Sequence, residues 1–166
     1  AEPVTTFGRI EDDLVERAKW GSDSLALVGE SNRLTYGELL AHAAHLSREL
    51  SPLGVTSGER VCVYLDKTPE AVVALYATWL AGAILVPAHE DLHERQLWHI
   101  LEHSGSRVLV TSVRKLTRFG IKIPDHVRLL DYSLPKTPLG NHEFNKRRSN
   151  LSEPAAILYT SGSTGR

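Results

Sequence analysis

The stretch VCVYLDKTPEAVVALYATWLAGAILVP, residues 61–87, decides the fold. Its first five residues, Val61–Leu65, are apolar, as is typical of a strand buried on both faces. Thr68–Glu70 predicts a helix start, because proline is favoured at the first helical position, and Gly82 predicts the helix end. A second apolar strand, Ala83–Val86, follows at once and stops before a proline. A strand, a helix and another strand at this spacing predict a right-handed crossover between parallel strands.

The same alternation continues downstream of this unit. The helix interior, Ala71–Leu80, is apolar on nearly every side, so we expect it to lie between other elements. Further helices are predicted at Glu94–Ser104 and Val113–Phe119, and further strands at Val108–Val110, Val127–Leu130 and Ala155–Tyr159. The fold class is therefore α/β, with a mainly parallel sheet flanked by helices.

The chain before this region predicts two more helices and a hairpin. Apolar residues at helical spacing indicate a helix over Ile10–Trp20, with acidic residues in its first turn, where the helix dipole favours them. A small β-hairpin is expected near residues 24–36. Thr35 and Glu38 form a capping-box pattern that predicts the next helix, which should end by Gly54.

Composition and charge limit the classes of function. A length of 166 residues favours about one domain. The 19 basic and 20 acidic residues nearly cancel, which argues against a dedicated nucleic-acid or anionic-membrane surface. No apolar run is long enough to span a bilayer, and no signal segment opens the chain. Cys62 is the only cysteine, which excludes an intrachain disulfide and a cysteine-rich zinc site. We expect a soluble, cytoplasmic protein.

Six small residues follow the last predicted strand and form the candidate site. They are Thr160, Ser161, Gly162, Ser163, Thr164 and Gly165. Glycines let successive backbone N–H groups converge on an anion, and the hydroxyls add donors, so the pattern indicates phosphate binding. A flexible linker has the same composition, but a linker has no reason to follow an apolar strand. The glycine spacing and the absence of a lysine exclude a Walker loop.

This loop and other segments resemble the adenylate-forming enzymes, which include acyl-CoA synthetases, nonribosomal-peptide adenylation domains and luciferases. Residues 159–165, YTSGSTG, resemble the phosphate-loop signature of that family, which normally continues after one variable residue into Pro-Lys-Gly. The other segments that resemble family motifs, in the family's order, are Leu34–Leu39, Gly58–Val61, Leu80–Pro87 and Ser104–Arg107. Two departures are Trp79, where a basic residue is common, and residues 88–91, AHED, where an Asp or Asn and then a Pro are usual.

The resemblance implies ATP-dependent activation of a small-molecule carboxylic acid. A carboxylate would attack the α-phosphate, giving an acyl-adenylate and pyrophosphate, and a thiol would then take the acyl group. The implied cofactors are ATP and Mg²⁺, with either CoA or carrier-protein phosphopantetheine as acceptor. The expectation is an acyl-CoA synthetase of fatty acid metabolism, and the alternative is an adenylation domain that loads a carrier protein. A non-catalytic nucleotide-binding or interaction module is a further alternative.

The resemblance also implies that residues 1–166 are a partial N-terminal adenylation domain that stops after the phosphate loop. Residues 133–153 are polar and are expected to form a long surface connection. The metal ligands, the catalytic lysine and the acyl pocket would then lie in a missing C-terminal part. We expect no catalytic residue within this chain and no adenylation by it alone. We also expect either self-association through surface that the missing part would cover or a mobile end beyond Tyr159.

A zinc-protease pattern competes with this interpretation. His89, Glu90 and His93 match the H-E-x-x-H spacing, and His99 stands ten residues after the first histidine. Residues 99–103, HILEH, match the inverted motif. His93 and His99 would lie about 240° apart around a continuous helix, so they could not share one metal ion. We therefore predict no catalytic metal site.

The remaining conspicuous residues have structural explanations. Cys62 is expected to be a core residue, because a reactive thiol needs an exposed, electropositive setting. The tryptophans Trp20, Trp79 and Trp98 are expected to pack against the protein rather than to stack on a base. Asp66 and Lys67 are expected to be solvated charges in a turn, although they follow a strand where α/β sheets bind ligands.

Overall fold

The chain alternates strands and helices as the sequence predicts. A computed structural model describes residues 8–136 and 152–160. In chain order its elements are α1 (Ile10–Trp20), β1 (Leu25–Val28), β2 (Arg33–Thr35), α2 (Tyr36–Leu50), a 3₁₀ turn (Ser51–Leu53), β3 (Arg60–Tyr64), α3 (Pro69–Leu80), β4 (Ile84–Pro87), α4 (Glu94–Ser104), β5 (Val108–Thr111), α5 (Val113–Phe119) and β6 (Arg128–Asp131).

The main sheet has four parallel strands in the order β4-β3-β5-β6. Strands β1 and β2 form a separate antiparallel hairpin, as predicted. The chain moves outward from β3 to β4 and then returns to the other side of β3 with β5. The α/β fold class is thus confirmed.

Local signals fix several helix ends. Thr35 Oγ1 accepts from the Glu38 backbone N at 3.2 Å, and the Glu38 carboxylate accepts from the Thr35 backbone N at 2.8 Å, so the capping box is formed. Gly105 and Gly120 end α4 and α5 in the left-handed conformation, which glycine adopts without a Cβ clash. These caps explain why the sequence predicts the bounds of both helices.

Helices cover both faces of the sheet. Because side chains alternate along a strand, Val61 and Val63 of β3 face one layer, while Cys62 and Tyr64 face the other. Helices α1, α2 and α3 pack on the first face, and α4 and α5 pack on the second. The prediction that α3 is enclosed is confirmed, since Val73, Ala74 and Ala77 have no exposed surface.

The fifth predicted strand, Ala155–Tyr159, is wrong in extent. This segment makes a single parallel bridge, between Ala156 and Leu85 of β4. Leu85 N donates to Ala155 O at 3.0 Å, and Ile157 N donates to Leu85 O at 2.8 Å. Pro87 ends β4 and has no N–H to donate, so the ladder stops there. Leu158 is 72% exposed, although its hydrophobicity favoured a buried strand.

The three tryptophans behave differently from one another. The prediction for Trp20 is wrong, because its side chain is 87% exposed at the end of α1. Trp79 packs against the core, and its Nε1 donates to Ala155 O at 2.9 Å. Trp98 is 38% exposed and donates to Lys122 O at 2.6 Å. A helical pattern alone did not tell Trp20 from the other two.

Two further expectations, about the connection 133–153 and about membrane spans, can be compared with the described residues only. Of the predicted connection 133–153, residues 137–151 lie outside the described residues, and Ser133, Pro135 and Lys136 are exposed. Within residues 8–136 and 152–160 the longest helix has 15 residues, and none of the helices meets the length and apolarity needed to cross a membrane.

Candidate functional site

The predicted phosphate loop begins at the carboxyl edge of the main sheet. The bridge between Ala156 and Leu85 is parallel, so the segment 155–160 runs in the direction of β4. Thr160 therefore lies at the edge where all four parallel strands end, and it is exposed. In open α/β sheets this edge is where ligands bind. The other predicted site residues, Ser161, Gly162, Ser163, Thr164 and Gly165, lie outside the described residues.

A cavity of about 960 Å³ opens beside Thr160. It lies between the end of β4, the outer face of α4 and the segment that leads into the loop. Its lining residues are Pro87, His89, Leu92, Arg95, Gln96, His99, Ile100, Tyr159 and Thr160. This lining combines an apolar floor with imidazole, amide and guanidinium groups, which suits a small ligand with a polar part.

Two histidines of α4, His99 and His103, contact Tyr159, which lies just before the predicted loop. His103 Nδ1 and the Tyr159 hydroxyl are hydrogen-bonded at 2.8 Å. The rings of His99 and His103 lie on one side of α4, 5.7 Å apart between centroids, and both pack edge-on against the Tyr159 ring. These contacts orient the start of the loop relative to α4.

The connection between β4 and α4 is tied to the turn after β3. Glu90 accepts from the Lys67 backbone N at 2.8 Å, and its carboxylate pairs with Lys67 Nζ at 3.3 Å. The backbone bond to Lys67, followed by the side-chain bond, lowers the pKa of Glu90. The Tyr64 hydroxyl donates to Leu92 O at 2.8 Å, and Gln96 Oε1 accepts from the His93 backbone N at 3.0 Å. The floor of the cavity is thereby fixed by polar contacts.

A buried lysine completes this network. Lys115 is 4% exposed, and its Nζ bonds to Asp66 Oδ1, donates to Glu90 O at 2.9 Å and lies 4.5 Å from the centre of the Tyr64 ring. Arg118 also pairs with Asp66, at 3.2 Å. The hydrogen bond from Lys115, assisted by the charges of both cations, lowers the pKa of Asp66. The prediction that Asp66 is merely solvated is therefore wrong.

Sequence reasoning missed Lys115 because its partners are remote in the chain. Asp66 is 49 positions away. The available signal was the position of Asp66 directly after β3, where charged side chains of different elements meet at the sheet edge.

The H-E-x-x-H pattern at residues 89–93 does not form a helical chelate. Helix α4 begins only at Glu94, with His93 as its N-cap, so His89 and His93 do not share a helix. Among the described residues, the ligand atoms of His89, Glu90 and Asp91 lie within 4.8 Å of one another. Glu90 is already bonded to Lys67, and imidazole is a poor ligand for Mg²⁺, so this group does not fit the magnesium ion that the resemblance implies.

Cys62 is a core residue, as predicted. It has no exposed surface, and burial raises the pKa of its thiol to about 12. The thiolate is therefore scarce at neutral pH, and a nucleophilic role is excluded.

Comparison with protein families gives one match that covers most of the chain. Residues 14–166 match the family described as AMP-binding enzyme. The match includes the described part of the candidate site and the loop that follows it.

Similar curated proteins are large synthetases. The chain is 33% identical over 163 residues to phosphinothricin tripeptide synthetase PhsC of Streptomyces viridochromogenes, covering 97% of the chain and 14% of that protein. It is 34% identical over 173 residues to surfactin synthase subunit 1 of Bacillus subtilis, covering 99% of the chain and 5% of that protein. The chain thus spans between 2% and 14% of the curated relatives that it matches first.

Solved structures with this fold include two proteins that each contain a bound ligand. The nonribosomal peptide synthetase FmoA3, in its alpha-methyl-L-serine-AMP bound form, superposes with a TM-score of 0.80 at 26% identity, covering 98% of this chain and 18% of that one. The N-terminal subdomain of Klebsiella oxytoca NpsA, in complex with 3-hydroxybenzoyl-AMSN, gives a TM-score of 0.75 at 23% identity, covering all of this chain and 41% of that one. At that identity the second likeness supports the fold alone.

Proposed function

The chain belongs to the AMP-binding enzyme family, and from this premise we propose that it is the first part of an adenylation domain that activates an amino acid or a related carboxylic acid and loads it on a carrier protein. The relatives support this alternative over the expected acyl-CoA synthetase, because they are peptide synthetases. They give no support to CoA or to fatty acid metabolism. We accordingly propose carrier-protein phosphopantetheine as the thiol acceptor and cytoplasm as the location.

The observation that carries the proposal is the parallel bridge between Ala156 and Leu85. It brings Thr160 to the carboxyl edge of the sheet, beside a cavity of about 960 Å³. A phosphate-binding loop needs an anchored backbone before it and open space beside it. Two backbone hydrogen bonds to Leu85 anchor the segment, and the cavity supplies the space. The cavity would bind the parts of the ligands that adjoin the triphosphate of ATP.

In the proposed reaction the loop binds the phosphates of ATP, and the substrate carboxylate attacks the α-phosphorus. Backbone N–H groups and hydroxyls of Thr160–Gly165 hold the β- and γ-phosphates of ATP, which keeps the α-phosphorus in place. A carboxylate oxygen bonds to the α-phosphorus, the bond from that phosphorus to the oxygen that bridges the α- and β-phosphates breaks, and pyrophosphate leaves. Donors on the loop stabilise the negative charge that the leaving group gains. Mg²⁺, held by residues other than Thr160–Gly165, would offset further negative charge.

Tyr159 has a positioning role in this proposal. Its hydroxyl bonds to His103 Nδ1 and its ring packs on two histidines of α4, so it sets where the loop begins. Tyr159 does not need to touch ATP to affect binding. Loss of its hydrogen bond should raise the KM for ATP while leaving substrate-acid selectivity unchanged.

The test is acid-dependent ATP–pyrophosphate exchange by the full-length protein across amino acids, aryl acids and fatty acids. We expect exchange with one or a few amino or aryl acids, and transfer of the activated acid to a phosphopantetheinylated carrier protein. Formation of a CoA thioester instead would contradict the carrier-loading assignment. Absence of exchange with every acid would contradict adenylation itself.

Variants of the loop sharpen that test. Gly162→Val should lower exchange about a hundredfold or more, because a Cβ branch blocks the backbone from approaching a phosphate. Tyr159→Phe should raise the KM for ATP a few-fold, the equivalent of about 1 kcal/mol for one hydrogen bond. Thr56→Ala is the control, since Thr56 is exposed in the turn before β3, at the opposite edge of the sheet. Equal losses in all three variants would contradict the assigned site.

We also retain the prediction that residues 1–166 alone release no pyrophosphate from ATP with any acid. Acid-dependent pyrophosphate release by this segment in isolation would contradict the proposal. Self-association of the isolated segment stays a prediction, to be tested by sedimentation.

A further inference from the structure

A second cavity, of about 300 Å³, opens at the same edge of the sheet, beyond the ends of β3 and β5. The strand order reverses at this point, since β4 lies on one side of β3 and β5 on the other. Crevices at such a reversal are the usual ligand sites of open α/β sheets. The second cavity shares no lining residue with the cavity beside Thr160. It is therefore a separate candidate site.

The lining carries more positive than negative charge. Its cations are Arg114, Lys115 and Arg118, and its anions are Asp66 and Glu70. Asp66 is engaged by both Lys115 and Arg118. Arg114 is exposed and has no ion-pair partner within the described part of the chain. The guanidinium group of Arg114 is thus available to an anion.

Tyr132 lines the cavity, and its hydroxyl is buried and has no hydrogen-bond partner among the described residues. Tyr132 is 6% exposed, and its hydroxyl makes no hydrogen bond to any of the described residues. Burial, followed by the charges of Glu70 and Glu49, raises the pKa of Tyr132, so the hydroxyl keeps its proton and remains a donor. A buried donor left unpaired costs free energy, and a ligand oxygen would remove that cost.

We propose that this second cavity binds a small phosphate-type oxyanion, separately from the nucleotide loop. Arg114 and Arg118 supply forked donors that match phosphate oxygens, and Ser112 adds a hydroxyl at the rim. Tyr132 supplies the donor that has no other partner. Free phosphate, pyrophosphate and a nucleotide monophosphate share this chemistry, so the probes below separate them.

The direct test measures how fast phenylglyoxal modifies individual arginines of the full-length protein, by peptide mass spectrometry. Inorganic phosphate, pyrophosphate and AMP are added in turn. Arg17, exposed on α1 and outside the lining of this cavity, is the control within the same molecule. We expect at least one probe to slow modification of Arg114 about fivefold or more, with the rate at Arg17 unchanged. Equal rates at Arg114 with and without every probe would overturn the proposal, and so would equal protection of both arginines.

Three variants, titrated by calorimetry with the probe that protects best, test the chemistry. Arg114→Gln should weaken binding about tenfold, and Glu70→Gln should tighten it roughly threefold, because one change removes a cation and the other an anion. Tyr132→Phe should weaken binding while raising the melting temperature of the empty protein, since it removes an unpaired buried hydroxyl. Unchanged affinity in Tyr132→Phe and Arg114→Gln would show that the cavity is not the site.

Discussion

The two helical layers that cover the sheet differ in what they do and in how many buried residues they pack on. The layer with more buried residues is called the thicker layer, and the other is called the thinner layer. The layer of α1, α2 and α3 packs on a cluster of 21 buried residues, whereas the layer of α4 and α5 packs on 11. Both cavities at the carboxyl edge draw lining residues from the thinner layer, through α4 or through α5. The thicker layer provides stability, and the thinner one leaves room for ligands.

The comparison also separates two kinds of helix. Helix α3 is apolar on nearly every side and touches solvent little, so its sequence is constrained by packing. Helix α4 buries Leu97, Ile100 and Leu101 and turns His99 toward the cavity. Residues on the open face of α4 can change without loss of the core, which suits a surface that has to match a ligand.

The largest expected effect compares one buried leucine from each layer. Leu46→Ala in α2 should lower the free energy of unfolding by about 4 kcal/mol, and Leu97→Ala in α4 by about 3 kcal/mol. Neither leucine has exposed surface, but a thin layer beside a cavity can collapse more easily around the missing atoms. Urea denaturation measures both values. A larger loss for Leu97→Ala would break the comparison.

The next effect tests the polar contacts that hold the thinner layer to the end of β3. Lys115→Met should cost about 2 kcal/mol, since it removes a buried charged donor from Asp66 and from the Glu90 carbonyl. In a double-mutant cycle with Asp66→Asn, we expect a coupling energy of about 1 kcal/mol or more. Additive losses would mean that the two side chains contribute independently.

The same contact predicts a dependence of stability on pH. The pKa of Asp66 is lowered in the folded protein, chiefly by Lys115, so the unfolded chain takes up a proton first as the pH falls. The stability that Asp66 contributes is therefore complete above its ordinary pKa of 3.8 and is lost as the pH falls through the lower folded value. Unfolding of wild type and Asp66→Asn, followed from pH 7 downward, should converge. Lys115→Met should reduce this convergence, because it removes the main cause of the shift.

The smallest effect concerns the thicker layer. Trp20→Ala should change the free energy of unfolding by less than about 0.5 kcal/mol, because the side chain is 87% exposed. Trp79→Phe is the matched variant and should cost about 1 kcal/mol through the lost bond to Ala155 O. Thermal unfolding distinguishes the two. Equal losses would mean that exposure is a poor guide to what Trp20 contributes.

Sequence reasoning was most reliable where local signals suffice. The bounds of α1, α4 and α5 follow from helical spacing and from glycines such as Gly105 and Gly120. It was weakest where the outcome depends on a remote partner. The extent of the segment after Ala155 depends on the short edge that β4 offers, and the burial of Lys115 depends on Asp66 in another element.

For the candidate site, too, local sequence patterns were informative and contacts between remote residues were not. The sequence predicts a phosphate loop at Thr160–Gly165 but does not show what lies beside it. The cavity next to Thr160 is made by Pro87, by α4 and by Tyr159, which are brought together only by the folded sheet. The hydrogen bond between His103 and Tyr159 joins residues 56 positions apart, and no local sequence pattern indicates it.

The way the segment 155–157 is attached has a consequence for hydrogen exchange. Two ladder hydrogen bonds to Leu85 and one from Trp79 tie it to the rest of the described protein through its backbone. Detaching it exposes little apolar surface, whereas separating β3 from β5 disrupts both cores. The amide of Ile157 should therefore exchange with deuterium through a small local opening, while that of Val63 should require global unfolding. Nucleotide bound at the loop would slow exchange at Ile157 far more than at Val63.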